Sequence, residues 1–154
     1  MLIYILSGNI KDIVLNQYCI SLAEKENLKD RVFFHSGLSQ EQIAELLATS
    51  DINISVSQWE TFGRGILEGM YAGLPTIVLD NIVCLKPYLE PNKGIFYTSD
   101  ISEMAKKIAL LFADKVYYKE QSQKAIENSH VFSEEKQKQS LLNEILCNEI
   151  PLKK

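Results

Sequence analysis

Short apolar runs alternate along this 154-residue chain with longer stretches in which apolar residues recur every three or four positions. A short run bounded by turn residues predicts a buried strand, whereas the recurrence predicts an amphipathic helix. Strands are therefore predicted at five places, namely Leu2–Leu6, Val32–Phe34, Asp51–Val56, Thr76–Leu79 and Lys93–Tyr97.

The helical periodicity fills the segments between and after these strands. Helices are predicted from Lys11 to Glu26, from Ser39 to Leu47, from about Ile66 to the stop at Gly73, from Asp100 to Leu111, from Val116 to Asn128 and from Glu134 to Cys147. Ser39 and Gln42 have the spacing of a capping box, and Ile82–Leu89 is either a short helix or a loop. Alternating strands and helices predict an α/β fold, a Rossmann-like three-layer α/β/α architecture with a parallel sheet. Without a linker or repeat, residues 1–154 are predicted to form a single domain.

The stretch Ser57–Pro75 is the candidate site, because it changes from a glycine-bearing loop to a helix directly after a strand. It holds two carboxylates, Glu60 on the loop and Glu68 near the helix start, with seven residues between them. The unpaired N–H groups and the dipole at a helix start favour an anion, and carboxylates accept hydrogen bonds from hydroxyls. The pattern fits a sugar nucleotide. On spacing alone, solvated glutamates and glycines that serve only the turns fit equally well.

The helix in this stretch is predicted to bury one face and to end at Gly73. Its apolar residues at helical spacing are Ile66, Leu67, Met70, Tyr71 and Leu74. Gly73 would take the left-handed position after the helix, and Pro75 could not continue it.

Composition and charge narrow the class of protein. Acidic residues exceed basic ones, 20 against 16, so neither nucleic acid nor an anionic membrane surface is an expected partner. Cys19, Cys84 and Cys147 are odd in number and lack metal-ligand spacing, which is typical of reduced thiols in a cytosolic protein. The apolar N-terminus lacks the basic region of a signal peptide and is too short to cross a membrane. We therefore expect a cytoplasmic protein with no metal and no transmembrane segment.

A nicotinamide-dinucleotide oxidoreductase is an alternative for the same stretch. Gly63, Gly65 and Gly69, followed by a strand and Asp80, imitate the dinucleotide fingerprint with its ribose-binding acid. The first fingerprint glycine should follow the strand almost directly, whereas Ser57–Phe62 intervene here. The spacing therefore disfavours this alternative.

The stretch is similar to the donor-binding signature of the GT4 family, retaining glycosyltransferases of the GT-B fold. That signature is a glutamate, seven residues, a second glutamate, and then a small-residue turn with proline. Here it reads Glu60-Thr61-Phe62-Gly63-Arg64-Gly65-Ile66-Leu67-Glu68 followed by Gly73-Leu74-Pro75. Val32–Leu38 resembles the family's strand-then-glycine element, and Leu46–Ile52 resembles the helix that leads into its central strand. By this resemblance the chain is the C-terminal, donor-binding half of a GT-B fold.

The resemblance implies roles for individual residues. Glu60 would be the catalytic residue and contact the donor sugar, and Glu68 would bind the ribose hydroxyls. The implied donor-binding set is Glu60, Thr61, Phe62, Gly63, Arg64 and Glu68, with Ser36, Gly37 and Leu38 bordering the base. Two alternatives stay open: Arg64 is either a phosphate contact or a solvated loop residue, and Trp59 either walls the sugar pocket or serves packing.

The implied activity is transfer of a sugar from a nucleoside diphosphate sugar to an acceptor with retention of configuration, in glycan or cell-surface polysaccharide biosynthesis. A UDP-sugar is favoured over a GDP-sugar, and no cofactor or metal is needed. The family's N-terminal acceptor domain, and a first strand and loop with an Arg and a Lys, precede the matching region. We therefore expect the isolated chain to be inactive and to need that domain in cis or in trans, which could also bring it to a membrane. Self-pairing as a homodimer is a further expectation, and a non-catalytic sugar-nucleotide-binding module or a subunit of a split transferase is the alternative.

Overall fold

A computed structural model describes residues 4–7 and 13–147 of the chain. In chain order its elements are β1 (Tyr4–Ser7), α1 (Ile13–Lys25), β2 (Val32–His35), α2 (Gln40–Ala48), β3 (Asn53–Ser55), α3 (Arg64–Tyr71), β4 (Thr76–Leu79), β5 (Ile95–Thr98), α4 (Ile101–Ala113), α5 (Lys115–Ser129) and α6 (Glu134–Cys147), with 3-10 turns at Lys29–Arg31 and His130–Phe132. Each predicted strand and helix is present, with bounds that differ by a few residues. The predicted strand residues Leu2 and Ile3 and the predicted helix start at Lys11 lie outside the described residues.

The chain divides into two compact units, residues 1–46 and 47–154. In the first unit, β1 and β2 run parallel, with Tyr4 opposite Val32. A parallel pair needs a crossover, which α1 supplies. The predicted capping box is present, because the Ser39 N–H donates to Gln42 Oε1 (2.9 Å) and the Gln42 N–H donates to Ser39 Oγ (3.3 Å). The assignment of residues 1–154 to a single domain stays a prediction.

The second unit contains a parallel sheet of three strands in the order β3-β4-β5. Ile77 at its centre lies opposite Ile54 on one side and Phe96 on the other. Thr76, Ile77 and Val78 are all buried, since both faces of this strand are covered. That burial explains why β4 is apolar at successive positions rather than at alternate ones.

Two clusters of buried side chains lie on the two faces of this sheet. On one face α3 and α5 pack against β4 and β5, and the cluster is Ile66, Leu67, Met70, Val78, Ile82, Leu85, Leu89, Ile95 and Ala125. On the other face α4 packs, and the cluster is Ile77, Phe96, Met104 and Leu111. The second unit is therefore a three-layer α/β/α arrangement, which confirms the predicted Rossmann-like fold class.

The end of α3 is fixed by two hydrogen bonds. The Leu74 N–H donates to the Gly69 carbonyl and the Gly73 N–H to the Met70 carbonyl, each at 3.0 Å. Gly73 has a φ of 79°, a left-handed backbone that glycine adopts without steric cost. The predicted stop is confirmed.

Tyr71, predicted to face the core, is instead 41% exposed, because it lies at the helix end against the ring of His130.

The segment between β4 and β5 is a loop, which decides between the two predicted possibilities for Ile82–Leu89. Ile82, Leu85 and Leu89 are nonetheless buried. The loop is apolar because it covers the core beside the start of α3.

Candidate functional site

The start of α3 depends on Gly63. This residue is the N-cap, with a φ of 75°, and its carbonyl accepts hydrogen bonds from the N–H groups of Ile66 (3.0 Å) and Leu67 (3.1 Å). A Cβ at this position would lie 2.8 Å from Leu85 Cδ1. A left-handed backbone under a packed leucine requires glycine, so the loop enters α3 in one fixed direction.

Backbone donors are free at this entry. The N–H groups of Phe62, Gly63 and Arg64 make no hydrogen bond within the described residues. They lie at the N-terminus of α3, where the partial positive charge of the helix favours an anion. The geometry suits a phosphate oxygen.

Glu60 lies on the same loop and is half-buried. Its carboxylate forms no ion pair or hydrogen bond within residues 4–7 and 13–147. Thr61 beside it is exposed, and Phe62 is 53% exposed, with its ring edge-on to Phe132 at 5.7 Å. A half-buried acceptor with no protein partner is available for a ligand hydroxyl.

Arg64 and Glu68 are brought together by the structure. Arg64 is the first residue of α3 and not a loop residue as one alternative held, and its Nε lies 3.1 Å from Glu68 Oε1 one turn later. The side chains are 71% and 37% exposed. An exposed pair of this kind contributes about 0–1 kcal/mol, so Glu68 can exchange Arg64 for a ligand at little cost.

Asn53 anchors the site to the sheet, a role that sequence reasoning missed. Its Nδ2 lies 3.1 Å from the Gly65 carbonyl oxygen. It also lies 3.4 Å from the Ile66 carbonyl oxygen and 3.4 Å from Thr76 Oγ1. The first turn of α3 is thereby tied to β3 and β4. The available signal was an asparagine inside a predicted strand, since strands disfavour this residue type.

A cavity of about 410 Å³ opens where β4 and β5 end, and sequence reasoning missed this as well. Its lining residues are Gln58, Leu79, Asp80, Asn81 and Ser99. The Asn81 Nδ2 donates to the Gln58 carbonyl (3.0 Å) and so holds the Glu60 loop against the end of β4. Ligands of open α/β sheets bind at the carboxyl ends of the strands, and that rule was the only signal for these residues.

Tyr97 and Lys86 lie next to this cavity. Lys86 Nζ is 2.5 Å from Asp80 Oδ1 and 5.4 Å from the centre of the Tyr97 ring. The Tyr97 hydroxyl is buried without a hydrogen-bond partner in the described part of the chain. Burial raises the pKa of Tyr97 to about 12, so the phenol stays neutral and does not act as a base.

Three other predicted site residues, Ser36, Gly37 and Leu38, follow β2 in the first unit. Gly37 has a φ of 66°, with open space where a Cβ would be. Trp59 is 83% exposed, so the packing alternative for this residue is wrong.

Within residues 4–7 and 13–147, no three His, Cys, Asp or Glu side chains form a group that could hold a metal ion. No helix there has the length and apolar character needed to cross a membrane. Cys19 and Cys84 are free thiols, and the side chain of Cys147 lies outside the described part.

The sequence of this chain is similar to those of known glycosyltransferases. The model of the family described as glycosyl transferases group 1 matches residues 4–131. A GDP-Man:Man(3)GlcNAc(2)-PP-Dol alpha-1,2-mannosyltransferase from Dictyostelium discoideum is 29% identical over 114 residues, which cover 74% of this chain and 23% of that protein. An N-acetyl-alpha-D-glucosaminyl L-malate synthase from Bacillus anthracis is 38% identical over 63 residues, which cover 40% and 16%. The chain thus spans less than a quarter of either relative.

A solved structure shares the fold. The crystal structure of Anabaena HepE in complex with UDP-glucose superimposes with a TM-score of 0.77 at 21% identity, over 94% of this chain and 40% of HepE. At this identity the likeness concerns the fold, and it agrees with the predicted half of a GT-B architecture.

Proposed function

The chain belongs to the glycosyl transferases group 1 family, and from this premise we propose that it is the donor-binding part of a retaining sugar-nucleotide-dependent transferase. The observation that carries the proposal is the entry to α3. The Glu60 carboxylate, which has no partner among the described residues, lies on the loop that leads into the free N–H groups at the start of a helix. Hydroxyl acceptors beside phosphate donors are what a sugar nucleotide requires.

The proposed donor occupies the loop and α3. Its diphosphate and sugar face the N–H groups of Phe62, Gly63 and Arg64, which donate hydrogen bonds to the phosphate oxygens. Glu68 leaves Arg64 and accepts the two ribose hydroxyls, which frees the Arg64 guanidinium for a phosphate oxygen. Thr61 lies within this loop, and Ser36, Gly37 and Leu38 border the base.

The proposed reaction breaks one bond and forms one at the anomeric carbon. The bond from that carbon to the diphosphate oxygen breaks, and its electron pair leaves with the nucleoside diphosphate. The acceptor oxygen bonds to the same carbon on the same face, and its proton passes to the leaving diphosphate. Glu60 orients the donor sugar and stabilises positive charge at the anomeric carbon, while the N–H groups stabilise the departing oxygen. These steps need neither a metal nor a cofactor.

The proposed donor is a UDP-sugar. HepE, which shares this fold, was crystallised with UDP-glucose, whereas the Dictyostelium relative carries GDP-Man in its name. A direct comparison of UDP and GDP binding decides between the two bases.

The proposed setting is the cytoplasm, in glycan or cell-surface polysaccharide biosynthesis. An acceptor domain, in cis or in trans, completes the enzyme and can bring it to a membrane. Without that domain the 154 residues transfer no sugar. Self-pairing through the site face is part of the same proposal, since Phe62 is exposed there.

Two matched variants test the donor site. Glu68→Gln keeps the shape and removes the charge, so we expect it to weaken UDP binding by about ten- to a hundredfold, the value of a charge-assisted hydrogen bond. Glu60→Gln should leave free UDP nearly unaffected and weaken UDP-glucose instead, because free UDP has no sugar. Ligand-observed NMR titration suits the weak binding expected here.

The outcome separates the roles of the two carboxylates. Equal loss of UDP binding in both variants would refute the assignment, and no binding of UDP or GDP to the wild-type chain would refute the donor site. The alternative of a non-catalytic binding module predicts that UDP-glucose binds but is never turned over, even when an acceptor domain is supplied.

A further inference from the structure

We propose that Trp59 and the cavity lined by Gln58, Asp80, Asn81 and Ser99 form the binding site for a sugar ring of the acceptor. This inference rests on the proposed function, because it names the acceptor class as carbohydrate. It concerns residues outside the proposed donor-binding set, and it assigns Trp59 to the acceptor sugar rather than to the donor sugar. The proposal rests on two independent observations, namely the exposed indole of Trp59 and the polar lining of the cavity.

Trp59 is unusual in its exposure. Its side chain is 83% exposed, although tryptophan is the side chain with the most apolar surface to hide from water. The turn that carries it is held in place: Ser57 Oγ donates to the Trp59 carbonyl (2.8 Å), and Asn81 fastens the Gln58 carbonyl to the end of β4. The backbone that carries the indole is therefore fixed, which lowers the entropic cost of binding there.

The cavity next to it in the chain is polar. Within about 410 Å³ it offers polar atoms of Gln58, Asp80, Asn81 and Ser99. Asp80 also pairs with Lys86, and the Ser99 hydroxyl donates to Glu103, so each still has acceptor capacity for a ligand hydroxyl. That volume lies within the range of small-molecule sites. Acceptors and donors in this mixture match the alternating hydroxyls of a pyranose ring.

The chemistry of a sugar ring fits both parts together. One face of a pyranose carries mostly C–H groups, which are apolar and stack on the negative face of an indole, while its rim carries hydroxyls. The ring would stack on Trp59 and place hydroxyls in the cavity.

The location favours the acceptor over the donor. The cavity contains none of the residues Glu60 to Glu68 and lies at the ends of β4 and β5, whereas the donor would lie at α3. Gln58 and Trp59 are contiguous in the chain with Glu60. A sugar held there adjoins the anomeric carbon, where an acceptor hydroxyl must lie for transfer.

Trp59 is the only tryptophan of the chain, so its fluorescence reports directly on this site. We expect methyl α-D-mannopyranoside or N-acetyl-D-glucosamine, titrated in the absence of nucleotide, to give a saturable fluorescence change in the millimolar range. Asp80→Asn should weaken that binding by about ten- to a hundredfold. Val116→Ala alters a side chain that is 79% exposed on α5 and should leave it unchanged.

Ligand-observed NMR with Trp59→Ala completes the test, and the saccharide signal changes should disappear. Glu68→Gln should keep saccharide binding while losing UDP, which separates this site from the donor site. Unchanged binding in Asp80→Asn, or no saturable change with either saccharide in a folded protein that binds UDP, overturns the proposal. So does a Trp59→Ala variant that only converts a dimer to a monomer in sedimentation, because the indole is then a protein interface.

Discussion

Gly69 and Gly65 lie on the same helix, and the structure predicts opposite effects for the same substitution. Gly69 is buried on the side of α3 that meets β3, and a Cβ there would lie 2.1 Å from Asn53 Nδ2 and 2.5 Å from Asn53 Cγ. Gly65 is exposed, and a Cβ there would have no atom within 4 Å. Helix propensity alone favours alanine at both positions by about 0.5–1 kcal/mol.

The clash at Gly69 should outweigh that gain. Asn53 must move, which endangers its hydrogen bonds to the Gly65 carbonyl and Thr76 Oγ1, each contributing about 0.5–1.5 kcal/mol. Overpacking adds about 1–3 kcal/mol. We expect Gly69→Ala to lower the free energy of unfolding by about 1–3 kcal/mol, and Gly65→Ala to raise it by up to about 1 kcal/mol.

Urea unfolding followed by far-UV circular dichroism measures both changes. With a slope of about 2 kcal/mol per molar urea, the midpoint should fall by about 0.5–1.5 M for Gly69→Ala. Asn53→Ala removes the two nearest atoms, so the cost of Gly69→Ala should shrink in that background, as a double-mutant cycle would show. A Gly69→Ala protein as stable as wild type would refute the packing of α3 on Asn53.

Two further predictions concern ionisable groups in the second unit. The N–H and hydroxyl of Ser99 donate to Glu103 Oε2 (2.7 and 2.9 Å) and lower the pKa of that carboxyl. The ionised carboxylate therefore stabilises the folded protein above the pKa of the unfolded chain, and this stabilisation is lost as the pH falls through the pKa of the folded protein. The urea midpoint of wild type should exceed that of Glu103→Gln at neutral pH but not in acid, and a difference that stays constant with pH would contradict this. Burial raises the pKa of Tyr97 to about 12, whereas the pKa of a tyrosine in the unfolded chain is about 10. The stability of the fold that depends on the neutral phenol is therefore fully present below about pH 10 and is lost as the pH rises toward 12. Tyr97→Phe removes a hydroxyl that has no partner in the described residues, so it should be neutral or stabilising, with one fewer phenol titrating near pH 12 by absorbance; clear destabilisation would show a missed hydrogen bond.

The sequence by itself determined the elements of the fold, because their signals are local. β4 is read from a continuous apolar run, the start of α2 from the spacing of Ser39 and Gln42, and the end of α3 from Gly73. The last two signals reflect hydrogen bonds between residues a few positions apart, and the apolar run is a pattern of residue types contained within one short segment. The candidate stretch Ser57–Pro75 was located for the same reason.

Only the tertiary structure decided which side chains meet across the chain. Asn53 reaches α3 from twelve or more positions away, Asn81 fastens Gln58 from twenty-three positions away, and Asp80 and Ser99 share a cavity because β4 and β5 end side by side. Trp59 could be assigned to packing or to a site until its exposure was known. Helix periodicity placed Tyr71 inside, but the end of α3 leaves it at the surface beside His130. Such contacts follow from how strands and helices pack, and a linear pattern carries no distance between residues that are remote in the chain.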